Sequence, residues 1–146
     1  MTLDVHKKLQ ELLALPDETE WVEFKEAKNN FDSDDLGRYF SALSNEACLK
    51  DKSCGWLVFG VRHKPRTVVG SQYRSHRPDL DRLKQEVAAQ TSQRLTFEEI
   101  HEVLTHQGRV VMFQIPAALR GVPTAWKGHF YGRDGESLGP LNLNEI

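Results

Sequence analysis

At 146 residues, 39% apolar and 27% charged, the chain has the length of one domain around one core and the composition of a folded protein, not a disordered one. No stretch approaches the roughly 20 apolar residues of a membrane helix, and the start, MTLDVHKKLQ, lacks the apolar run of a signal peptide, so a cytoplasmic protein is expected. The net charge of −2 hides a segregation of acids and bases into blocks along the chain.

In chain order, Val5, Leu9, Leu12 and Leu13 at helical spacing, with Thr2 or Asp4 as cap, predict an amphipathic helix that stops before Pro16. Residues 18–25, ETEWVEFK, follow as an extended segment whose strand runs from Trp21 to Lys25. Alternation sets Val22 and Phe24 on a buried face and Glu23 and Lys25 on the other. That charged face can hold a metal ion, a phosphate or only itself, as a solvated edge with Glu23 paired to Lys25, Arg62 or Arg133. Ser33 as a hydroxyl cap, with Asp34 and Asp35 as early acids, predicts a helix start, and Leu36, Tyr39, Phe40, Leu43 and Ala47 form its buried stripe.

The run CGWLVFGV, residues 54–61, reads as a central strand covered on both faces. The basic turn RHKPR, residues 62–66, would lead into a hairpin return over 67–69 that ends at Gly70. Pro78 and Asp79 open a third helix with Leu80, Leu83 and Val87 on its apolar face. Residues 95–104 and 109–115 predict two strands joined at THQG, with Val111, Phe113 and Ile115 pointing inward. From Pro116 a loop is expected, then a short strand near 130–133 and a glycine-rich turn, GRDGES, over 132–137.

The charge blocks carry the functional expectation. Residues 1–51 hold 12 acids and 6 cations, whereas 52–78 hold 6 cations and no acid. Residues 79–102 return to 6 acids and 3 cations, and 103–133 again lack any acid. Should the two acid-free blocks lie side by side they form a basic surface, the electrostatic footprint of nucleic-acid binding. Candidate contacts are Arg62, His63, Lys64 and Arg66 in the turn, Arg74 and Arg77 beside Tyr73 and His76, and Lys127 and Arg133 beside Trp126 and Tyr131, with Lys25 from the first strand. The competing reading makes the turn a solvated loop and gives the aromatic residues to the core. Cys48 and Cys54 are expected as free thiols, since no other ligand pair stands at zinc spacing. No nucleophile motif accompanies the 6 histidines, and GRDGES lacks the lysine of a Walker loop, so no cofactor is expected.

The ordered set ETEWVEFK, FSALSNEA, GWLVFGV, VVG, RVVMFQIP and FYGRDGESLGPLN resembles the Schlafen AlbA-type domain, a nucleic-acid-binding domain of bacterial transcriptional regulators and animal Schlafen proteins. The resemblance spans nearly the whole chain. It implies an α/β fold of the α+β kind, with about three helices on a mixed β-sheet, residues 1–146 forming one domain that is a stand-alone copy, a fragment or the amino-terminal part of a longer regulator. It further implies DNA or RNA as partner and an ATPase-like module in the parent protein; apart from the resemblance, a homodimer is among the partners expected.

The same resemblance carries an alternative, because some Schlafen members resemble RNA endonucleases that use Mg2+ or Mn2+ held by two glutamates and an aspartate. Glu18 and Glu23 match the glutamates, and would be the catalytic and metal residues under that alternative alone. Where the aspartate would follow Gly60 and Val61, this chain has Arg62 and His63, and a cation there repels a divalent ion. Asp51, Asp134 or Glu136 would have to take its place. The expectation is therefore a DNA-binding domain of a transcriptional regulator and not an enzyme. A module for protein interaction or dimerisation is the third reading.

Overall fold

A computed structural model describes residues 3–16, 19–134 and 137–141. Its elements are α1 (Val5–Leu13), β1 (Val22–Lys25), α2 (Ser33–Leu49), β2 (Cys54–Phe59), α3 (Arg77–Gln90), β3 (Glu99–Thr105), β4 (Gly108–Pro116), β5 (Ala125–Trp126), β6 (His129–Asp134) and β7 (Ser137–Pro140). Four strands form a mixed sheet in the order β1-β2-β4-β3, parallel between β1 and β2 and antiparallel elsewhere. β5, β6 and β7 form a second, antiparallel sheet. This is the α+β fold with three helices that the sequence leads one to expect.

All six residues of β2 are buried, as an apolar run with no polar alternation requires of a strand covered on both faces. Leu57 and Phe59 face a cluster with Leu36, Phe40 and Leu43 of α2 and Leu80, Leu83 and Val87 of α3. Trp56 and Val58 face the other way, onto Leu9 and Leu12 of α1. β4 is likewise two-sided: Val111, Phe113 and Ile115 join the first cluster as expected, but Val110 and Met112 fill the second. Among the described residues no helix is long and apolar enough to cross a membrane.

Three local expectations are corrected. The cap of α2 is Asp32, whose carboxylate accepts from the Asp35 amide at 3.0 Å, so Ser33 already lies inside the helix. Residues 67–69 form no return strand, only a single bridge from Val68 to Val61. β2 has β1 on one edge and β4 on the other, which leaves no edge for a hairpin partner. After Pro116 the expected short strand is β6, but β5 and β7 join it in a second sheet, and residues 132–134, expected in the GRDGES turn, belong to β6, with Asp134 paired opposite Ser137.

The second sheet rests on α2, and Gly37 makes the approach possible. A Cβ on Gly37 would lie 2.0–2.4 Å from atoms of the Trp126 ring. Gly37→Ala is therefore expected to destabilise the fold by about 1–3 kcal/mol, the usual range for overpacking. Urea unfolding checks this, and an unchanged midpoint would mean that the indole does not need the space.

Candidate nucleic-acid interface

The site is framed by a second, polar face of α2 that the sequence reading missed. Ser41 Oγ donates to Thr124 O at 2.7 Å and accepts from the Tyr131 amide at 3.1 Å. Asn45 donates to Thr124 O at 3.0 Å and Tyr131 O at 2.8 Å, while its carbonyl accepts from the Thr124 amide at 2.7 Å. These buried groups are thus satisfied by the small sheet, which otherwise would leave backbone polar groups bare. One signal was available: residues 39–45, YFSALSN, place small polar side chains in a helix with no charge to mark a solvent face.

Glu46 extends this face, accepting from the Arg133 amide at 3.1 Å. The Arg133 side chain, 1% exposed, then runs to β1, where Nη2 donates to Glu23 at 2.5 Å. Its Nη1 donates to the carbonyls of Val22 at 2.7 Å, Glu20 at 3.2 Å and Thr19 at 3.4 Å. Lys25 sits 3.7 Å from the same Glu23 carboxylate, and Lys50 bridges Glu20 at 2.9 Å and Glu46 at 3.2 Å. Charges of alternating sign therefore link α2, β6 and β1. The charged face of β1 is not a solvated edge: Glu23 is 4% exposed, with Arg133 from β6 paired to it.

Burial pushes the Glu46 carboxyl above its ordinary value, against the opposing pull of the Arg133 amide and Lys50. For Lys25, burial acts to lower the value, yet the hydrogen bond with Tyr39 and the charge of Glu23 outweigh it, and the ammonium is held above its ordinary value. Glu18 and Glu136 lie outside the described residues. Asp51 pairs with Arg120 at 2.9 Å. Among the described residues no three metal-ligating side chains come together.

The remaining predicted contacts fall into two groups. At the carboxyl end of β1, Arg62 and Lys28 both approach Glu26, at 3.6 and 3.7 Å. His63 lies beside Lys25 on a cleft of about 440 Å3 that Glu23, Phe24 and Glu26 complete. Lys64 is exposed in the same turn, which the Arg62 amide closes onto Thr67 O at 2.8 Å. These residues are brought together.

The others are not. Arg66 turns inward to cap the end of α1, donating to Leu12 O at 3.4 Å, Leu13 O at 3.3 Å, Leu15 O and Pro16 O at 3.1 Å, and its guanidinium lies 4.6 Å over the Phe24 ring. Arg74 pairs with Glu86 at 2.5 Å, and Arg77 with Asp81 at 2.9 Å and Glu102 at 3.3 Å. Lys127 pairs with Asp34 at 2.6 Å, far along the chain from the turn. Tyr73 and Trp126, 4% and 6% exposed, belong to the core and do not offer rings to a base. The two acid-free blocks therefore form no single positive patch, because acidic segments of the chain fold against them.

An α+β domain with a basic turn beside its edge strand, and an arginine buried beneath that strand, is the class these features define. The chain belongs to the Schlafen, AlbA_2 family, whose model matches residues 18–142. No curated protein matches it. Among solved structures it is similar to the DIP2311 protein from Corynebacterium diphtheriae, at 18% identity and a TM-score of 0.61 over 93% of this chain. The chain spans 29% of the length of that protein. It is also similar to the N-terminal domain of an ATP-dependent DNA helicase RecG-related protein from Nitrosomonas europaea, at 22% identity and a TM-score of 0.50, covering 97% of this chain and 95% of that one. At these identities the likeness is one of fold.

The raised Glu46 value has a pH consequence. A carboxyl that holds its proton more tightly folded than unfolded contributes most below the unfolded value and loses that contribution as pH rises through the folded one. Above its ordinary value of 4.5, Glu46 thus weighs increasingly against the fold. Glu46→Gln keeps an acceptor for the Arg133 amide but does not titrate. Measured by urea unfolding, its stability relative to wild type is expected to improve as pH rises above the ordinary carboxylate value and to level off once the folded Glu46 carboxyl has ionised. A constant difference, or one that worsens with pH, would contradict the assignment.

Proposed function

We propose that this domain binds DNA by its phosphate backbone, at the rim formed by Lys25, Lys28, Arg62, His63 and Lys64, and serves as the recognition part of a transcriptional regulator. One observation carries the reading: the 62–64 turn and the end of β1 gather cations around the 440 Å3 cleft. Among the described residues, Glu23 has Arg133 and Lys25 as partners, and Glu26 is approached by Lys28 and Arg62. Exposed ion pairs such as those at Glu26 are worth only about 0–1 kcal/mol, so phosphates can replace that carboxylate at little expense. Membership of the Schlafen, AlbA_2 family supports a nucleic-acid partner. So does the name of the Nitrosomonas protein, which is related to a DNA helicase.

Phosphate contacts position a protein without reading bases, so affinity should vary little with sequence and fall steeply with salt. Four such contacts, from Lys25, Lys28, Arg62 and Lys64, give a slope of log K against log salt of about −4. Lys64→Gln and Arg62→Gln are each expected to make that slope shallower by about 1, while Arg77→Gln, on the far group, leaves it unchanged. Fluorescence anisotropy with duplex DNA, single strands and transfer RNA over a salt series measures it. Absence of binding at low salt, or slopes indifferent to Lys64 and Arg62, would contradict the proposal.

A further inference from the structure

We infer that the guanidinium of Arg133 stands in for a divalent cation beside Glu23, so that this chain's acidic pocket excludes metal ions. Four oxygens converge on it: a Glu23 carboxylate oxygen at 2.5 Å and the carbonyls of Val22, Glu20 and Thr19 at 2.7–3.4 Å. An all-oxygen set with a carboxylate among carbonyls is the kind a hard divalent ion takes. Here the cation is part of the chain and planar.

Three further features keep an ion out. Lys25 places a second cation 3.7 Å from the Glu23 carboxylate. Arg62, at the position where the nuclease pattern has its third acid, turns to Glu26 and adds positive charge, not a ligand. Displacing Arg133 would also strand its charge, because the side chain is 1% exposed and the strand that carries it is pinned through its own amide to Glu46. The described residues therefore do not fit the Mg2+ or Mn2+ of the nuclease alternative, and no cleavage step is derived through such an ion. Metal-independent nucleic-acid binding follows if the function proposed above holds; exclusion of the ion does not depend on it.

The test is a Mn2+ titration followed by electron paramagnetic resonance of the free ion, with thermal unfolding alongside, on wild type, Arg133→Lys and Arg133→Met. Wild type and Arg133→Lys are expected to take up no Mn2+ and to show no change of Tm when it is added. Arg133→Met, which removes the charge while filling the space, is expected to lose Tm and to regain about 3 °C when Mn2+ is added. Uptake of Mn2+ by wild type that Glu23→Gln abolishes overturns the inference, as does a folded Arg133→Met indifferent to Mn2+. If Arg133→Met does not fold, the wild-type titration decides alone. In parallel, wild-type DNA binding should be the same with EDTA as with Mn2+. Binding lost in EDTA overturns metal independence, whereas no binding under either condition counts against the proposed function and leaves ion exclusion supported.

Discussion

Arg133 carries a full charge into the interior, and the two sheets are joined around it. Its backbone belongs to β6, its amide is fixed by Glu46 of α2, and its guanidinium binds Glu23 and three carbonyls around the start of β1. A charge so placed is tolerable only with every partner in position, because an unpaired buried ion loses far more solvation than it regains. The small sheet is thus held by directional contacts as well as by the packing of Trp126 on α2. Ser41, Asn45 and Glu46 meet Thr124, Tyr131 and Arg133 with hydrogen bonds that one register satisfies and a shift of one residue would break.

This division of labour separates two populations of cations. Arg66, Arg109 and Arg133 are structural: one caps α1, one braces the 71–74 loop through Ser71 O, Tyr73 O and Arg74 O, and one joins the sheets. Lys25, Lys28, Arg62 and Lys64 lie at the rim, where the pairing of Lys28 and Arg62 with Glu26 is weak and exchangeable. Burial rather than residue type distinguishes a guanidinium that builds the fold from one that can meet a phosphate. The buried group also sets the position of the rim, since Glu23, held by Arg133, orients Lys25 on the same strand.

Much of the fold was legible because hydrophobic period is a local property. The unbroken run of β2, the helical spacing of apolar residues in α1 and the Pro78-Asp79 opening of α3 all appear where the pattern puts them. What failed was non-local. The return strand after the 62–66 turn was plausible from spacing alone, but β4, some 50 residues away, had taken the edge. Glu23 looked outward because alternation says which face a residue takes and not what covers that face. Charge blocks misled for a similar reason: segregation along the chain placed Arg74 and Arg77 in a basic run, yet Glu86, Asp81 and Glu102 reach them from the acidic run that follows. The rim survived as a cluster because Lys25 and the 62–64 turn sit at the ends of adjacent parallel strands.

The account depends most on the mutual dependence of Arg133 and Glu23, which a double-mutant cycle measures directly. With Glu23→Gln, Arg133→Met and the pair combined, unfolded in urea at neutral pH, a coupling energy of about 2–3 kcal/mol is expected, the double variant being far less damaged than the two single losses would add to. Additive losses, with coupling near zero, would mean that the two sheets do not depend on this ion pair and would contradict the account.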